Sequence, residues 1–292
     1  MKSSRILKYF EEYIKKIDMN NTWSKAKYFH SLKSMDLARI IASNFNIFTE
    51  EELVVIELIA LFHDIGNFEQ KNYNYLDNQG EDSTMKSIHV LFDEEEIVVI
   101  ELIALFHDIG NFDGKNYNYL DNQEEDSTMK SINILFEEGL LRKITPETKY
   151  DKVIKLGIFC HNKDSLPQNI DEKTACICNI MKDVHKLEEV RMIINYPYVD
   201  NRIKDYPSAL VYNDFKLFTK VNTKISDNSA DNILIILSNI FGLKYKTSHS
   251  LVLKNEYITK VVDSLIYEDK KIEKFFKQIE VVLNNYIKKK IS

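Results

Sequence analysis

Apolar residues recur along most of the chain at steps of three and four, the period of an amphipathic helix. Trp23, Ala26, His30, Leu37 and Ile41 fall on one such stripe. Ile177, Ile180, Val184 and Leu187 form another, inside a helix predicted over 172–194. The segment LVVIELIALF at 53–62 is apolar nearly all round, which predicts a core helix rather than a surface one. Thr49 and Glu52 are spaced as a capping box, with Phe48 and Leu53 placed as its hydrophobic staple, so this helix is predicted to start at 50 and to stop at Gly66. Thr145 followed by Pro146 predicts another start, for a helix running through His161. From 195 to 292, polar stretches (NYPYVDNRIKDYPS, KISDNSAD) alternate with apolar helices such as NILIILSNIFGL and YITKVVDSLIY. The closing IKKKIS reads as a solvated helix end.

Residues 50–93 recur as 94–137, differing at seven positions (53/97, 69/113, 70/114, 80/124, 89/133, 90/134 and 93/137). Two copies are too few for a solenoid, so this is a duplication inside an existing fold. Asp93, Glu96, Phe92 and Ile97 repeat the capping box and staple, which lets the second copy start its own helix and stop at Gly110.

Seven Gly and four Pro in 292 residues are few. Since these residues punctuate turns, the scarcity supports long helices and argues against a many-stranded sandwich or barrel, so the expected class is all-α. A net charge of -6 gives no field that would favour a nucleic acid polymer or an anionic membrane. The N-terminus lacks the apolar core of a secretory signal, and 53–62 is far shorter than a bilayer span. Cys160, Cys176 and Cys178 cannot all pair within one chain. The expectation is a cytoplasmic protein with reduced thiols.

The residues with chemistry to offer are His30, the doublet His63-Asp64 with its copy His107-Asp108, His161, and the segment KDVHKLEEVR at 182–191. An adjacent His-Asp at a helix end can converge with a His from an earlier helix and a ligand from a later one on a single divalent cation. Mixed imidazole and carboxylate donors suit Mn, Fe, Co, Ni or Zn better than Ca or Mg. A lone His on an apolar stripe is more simply a core residue bonded to a backbone carbonyl, and His89 and His249 are read that way.

The string ALFHDIGNF resembles the signature of the HD-domain metal-dependent phosphohydrolases, and the resemblance extends in order over 24–194. FHSLKSMDLARIIA is similar to the first-His helix, LIALFHDIGNFEQ to the doublet, GIFCHNK to the helix with a third His, and MKDVHKLEEVR to the closing helix. The resemblance implies an all-α HD bundle over 1–194, with 195–292 as additional C-terminal helices packed on it. It implies His30, His63 and Asp64 as metal ligands and His161 as a supporting group. In the closing segment Asp183 matches the family's first Asp, and His185 stands where its second is expected. Asp183 sits nearer the centre of the apolar stripe, while the register of the resemblance selects His185 as the fourth ligand. Asn67 replaces the family's Arg, which puts phosphate binding in doubt. Asp82-Ser83 and Asp126-Ser127 lack the His of a second metal site, so a mononuclear centre is expected.

These matches imply hydrolysis of a nucleotide or other small phosphoester by metal-activated water, with Asp64 ligating and orienting the water. Lys163 and Lys186 are either cations that neutralise a transferring phosphoryl group or ordinary surface lysines. The rival, motivated by the missing Arg and the altered fourth ligand, is a degraded HD module that binds a nucleotide or protein as a regulator. One His30 and one closing helix serve one doublet. His63 follows His30 by 33 residues and His107 by 77, which favours the first copy, as does Glu69-Gln70; the distance to His161 favours the second. The first, His63-Asp64, is selected. The spare apolar helix would then pack on 195–292 or hold a homodimer together.

Overall fold

A computed structural model describes residues 2–68, 119–163, 165–167, 170–195 and 201–292. The second doublet His107-Asp108, its capping residues, Gly110, His89, Asp82-Ser83 and the spare helix behind the expected dimer lie outside the described residues, and of Asp126-Ser127 only the backbone is described. Among the described residues the architecture is all-α, with strand limited to a parallel pair of two-residue segments. No described helix is long and apolar enough to cross a membrane.

By packing, the chain divides into two compact units, one of Met1–Met35 and Ile47–Cys178, the other of Asp36–Asn46 and Asn179–Ser292. Two of the three cuts fall inside helices, α2 (Thr22–Ala42) and α7 (Glu172–Asn195), where the hydrophobic pattern has no break, and the third lies in the link after α2. The second stripe holds: Ile177, Ile180, Val184 and Leu187 are all buried.

In the first unit α3 (Glu50–Phe62) is the central helix, buried at every residue from Leu53 to Phe62. The predicted capping box is present in both directions, and Glu50, Glu51 and Glu52 place negative charge against the helix N-terminus. Glu57, the carboxylate within the apolar run, is buried and accepts a hydrogen bond from Ser3 Oγ of α1 (Ser3–Ile14) at 2.5 Å. Phe10 of α1 packs edge-on against Phe62 and Phe68, with ring centroids 5.5 and 6.0 Å apart. On another side α3 meets α6 (Asp151–Cys160) at Gly157, where a Cβ would stand 2.8 Å from Ile59 Cγ2. The glycine permits this close helix approach. Two further helices, α4 (Tyr119–Phe136) and α5 (Leu140–Ile144), complete the unit.

Two predicted boundaries move. α3 ends at Phe62, not Gly66, and a 3₁₀ turn over Ile65–Asn67 follows. The glycine is not a left-handed cap here; its N–H instead donates to Ser131 Oγ of α4 at 2.9 Å, and α4 packs closely on this turn. The helix predicted from Thr145-Pro146 starts at Asp151, because Thr145 is the extended residue that closes α5, as a residue before proline favours.

The second unit is built from α8 (Ala209–Phe215), α9 (Ser229–Ser238), α10 (Lys246–Lys254), α11 (Tyr257–Ser264) and α12 (Lys270–Ile291), with the strand pair Arg202–Ile203 and Ile266–Tyr267. Buried Asp231 accepts from the backbone N–H of Ser208 and Asp227, fixing both chain entries around α9. His249 is a buried histidine whose Nδ1 bonds the Tyr245 carbonyl, as its position on an apolar stripe implies. Lys288, Lys289 and Lys290 end α12 at its negative pole.

Candidate metal centre

The turn after α3 presents His63 and Asp64 together, both buried. His63 is the C-cap residue; its Nδ1 donates to the Ala60 carbonyl at 2.7 Å and so occupies one of the helix's orphan acceptors. That bond fixes the tautomer and leaves the lone pair on Nε2. His161 repeats the arrangement at the end of α6, with Nδ1 donating to the Ile158 carbonyl at 2.5 Å and the ring edge-on to His63, centroids 4.8 Å apart.

His30 is delivered by α2, whose N-terminal half is tied to the same turn. Trp23 Nε1 donates to the Asn67 carbonyl at 2.8 Å and Ser24 Oγ to the Phe68 carbonyl at 2.9 Å. Two helical turns on, His30 Nε2 lies 3.1 Å from His63 Nε2 and 3.5 Å from Asp64 Oδ2. His30, His63 and Asp64 each offer one donor atom within 4.8 Å of the others, a group able to hold a metal ion.

The donor set fits a divalent cation. Two Nε2 atoms at 3.1 Å cannot both present lone pairs to one another, and His63 Nε2 is an acceptor by its tautomer, so a proton on His30 must lie between them. Replacing that proton with a cation lets both lone pairs coordinate, with Asp64 adjacent to balance charge. Electrostatics prepare the site for this exchange. Burial is the main cause that holds His63 well below the ordinary histidine range and brings His161 down to about 4, so both imidazoles are neutral near pH 7. Burial pushes Asp64 up, but the Lys27 ammonium and the surrounding imidazoles outweigh it and hold the carboxyl well below its usual range. Since the buried imidazoles are neutral there, Lys27 is the charge that persists. Its Nζ lies 2.5 Å from Asp64 Oδ2 and 4.9 Å from the centre of the Trp23 ring.

Other expected site residues have partners of their own. Asp183 is buried, but its oxygens accept from the backbone N–H groups of Lys244 and Tyr245 just before α10, at 2.9 to 3.1 Å. Burial raises its pKa despite these bonds. Lys186 Nζ donates to the Gly242 carbonyl at 2.5 Å, and Lys163 Nζ lies over the Phe159 ring at 5.5 Å. His185, in the second unit, is half-buried with Nε2 3.7 Å from the Glu189 carboxylate. Sequence reasoning passed over Lys27. The signal was there: it lies three residues before His30 and four after Trp23, on the face of α2 that carries both.

Residues 28–90 match the model of one family, described as HD domain, and the match contains His30, His63 and Asp64. Over that stretch the chain is similar to the HD domain. No curated protein and no solved structure matches the chain.

Proposed function

We propose that the chain is a metal-dependent phosphohydrolase acting on a nucleotide or another small phosphoester. The observation that carries this reading is the convergence of His30, His63 and Asp64, two imidazoles and a carboxylate, at the turn matched by the HD domain. These three would hold the cation, and the donor set favours Mn, Fe, Co, Ni or Zn over Mg. A divalent cation there would supply Lewis acidity toward a phosphoryl oxygen and lower the pKa of water.

The chain's own residues do the rest. Asp64, kept ionised by Lys27, accepts a hydrogen bond from the attacking water and orients it. The carbonyls of Ala60 and Ile158 keep His63 and His161 in one tautomer, so neither ring turns away from the centre. The test is metal analysis of the purified protein together with hydrolysis of a nucleotide panel and a generic phosphoester in the presence of Mn, Co, Ni or Mg. Hydrolysis that depends on metal and is lost in Asp64→Asn is expected. Bound metal with no turnover of any substrate would favour the regulatory reading, and absence of metal would remove both.

A further inference from the structure

The family's Arg is missing at position 67, and Asn67 spends its backbone carbonyl on Trp23. We propose that Lys27 of α2 replaces it as the phosphate-binding cation of the centre, reaching the reacting group from the opposite side of the turn. This rests on the phosphohydrolase reading and names the residue that binds the transferred group.

Three observations carry it. Lys27 Nζ lies against Asp64 Oδ2, the oxygen that also faces His30, so the ammonium borders the space enclosed by the metal-binding group. An ammonium has three donors, and the Asp64 bond takes one of them. The side chain is 12% exposed, which leaves a path for a ligand while removing most of the water that would screen its charge. The ammonium is also held from the side: the Trp23 ring lies 4.9 Å from Nζ, and the indole is pinned by its own bond to Asn67. An ammonium placed in this way can bridge Asp64 and a phosphoryl oxygen without leaving the carboxylate. The lysines read from sequence are less well placed, Lys186 being engaged by Gly242 and Lys163 lying on Phe159.

The experiment compares Lys27→Met and Lys27→Arg with the parent for metal content, melting temperature and affinity for inorganic phosphate measured calorimetrically on the metal-loaded full chain. Compared at equal metal occupancy, Lys27→Met is expected to bind phosphate at least about tenfold more weakly, as loss of a charge-assisted contact requires. Lys27→Arg should restore most of that affinity. Phosphate binding unchanged in Lys27→Met would overturn the proposal. So would loss of metal in Lys27→Met with unaltered phosphate binding in Lys27→Arg and in metal-free parent, which would make Lys27 a support for Asp64 alone. If the parent itself takes up no metal, the phosphohydrolase reading fails, and phosphate binding by the metal-free proteins still decides for or against Lys27.

Discussion

The two copies of the repeat enter the described core by different parts. The first contributes its opening, α3 and the His63-Asp64 turn; the second contributes its close, α4, whose Ser131 bonds Gly66 of that turn. Within one copy, six residues separate the end of the turn from Tyr75, the sequence counterpart of Tyr119 at the start of α4; between Phe68 and Tyr119 there are fifty. Residues 94–106 differ from those of α3 only by Ile97 for Leu53, so local sequence gives almost no reason to prefer one doublet over the other. A doublet needs neighbours to become a metal site, and around the first copy α2 and α6 bring His30 and His161 to His63 and Asp64.

The strongest way to break this comparison is to remove one histidine at a time. His63→Ala should abolish metal binding, while His107→Ala should leave metal content unchanged, both read by elemental analysis of purified protein. The opposite pattern would transfer the site to the second copy.

Next in size is the pH response of the metal-free protein. His63 and His161 are buried neutral, with pKa values depressed below the ordinary value of about 6.5. The unfolded chain therefore takes up protons first as the pH drops. Their contribution is complete above about pH 6.5 and is lost as pH falls toward the folded pKa of His161, about 4, a cost on the order of 3 kcal/mol for that residue. Melting temperature should fall across this window, and less steeply in His161→Gln. Equal slopes would show that His161 is not buried neutral.

Excision of 69–112 joins Phe68 to Asp113 and leaves a six-residue link before α4, an ordinary length between helices. The shortened chain should therefore fold, bind metal and melt at or above the parent's temperature. Collapse of the fold on excision would show that the extra period is structural.

The smallest expected effect discriminates the closing helices. Ser131→Ala leaves the buried Gly66 N–H without its acceptor and should cost about 1–3 kcal/mol in denaturant unfolding. Ser87→Ala, its counterpart in the first copy, should cost nothing measurable. Equal costs would mean that both copies supply that helix.

Much of this was legible in the sequence where one local rule operates. Thr49 and Glu52 announced the start of α3, and Ile177, Ile180, Val184 and Leu187 the buried face of α7. Prediction failed where a side chain did a backbone's work or the backbone a side chain's. Gly66 looked like a helix stop, but the His63 ring takes the Ala60 carbonyl and the helix ends four residues earlier, at Phe62. Asp183 stands nearer the centre of an apolar stripe than His185, and its oxygens serve backbone N–H groups about sixty residues on, a pairing that no spacing reveals. Lys27 was hidden by its commonness, one lysine in a lysine-rich chain, distinguished only once α2 was folded onto the doublet.

The central claim is that His30, His63 and Asp64 hold one divalent cation. It is tested most directly by an anomalous difference map from crystals grown with manganese. The account predicts one strong peak within bonding distance of His30 Nε2, His63 Nε2 and an Asp64 carboxylate oxygen. A peak at His107-Asp108, or no peak beside these three residues at saturating metal, would contradict it.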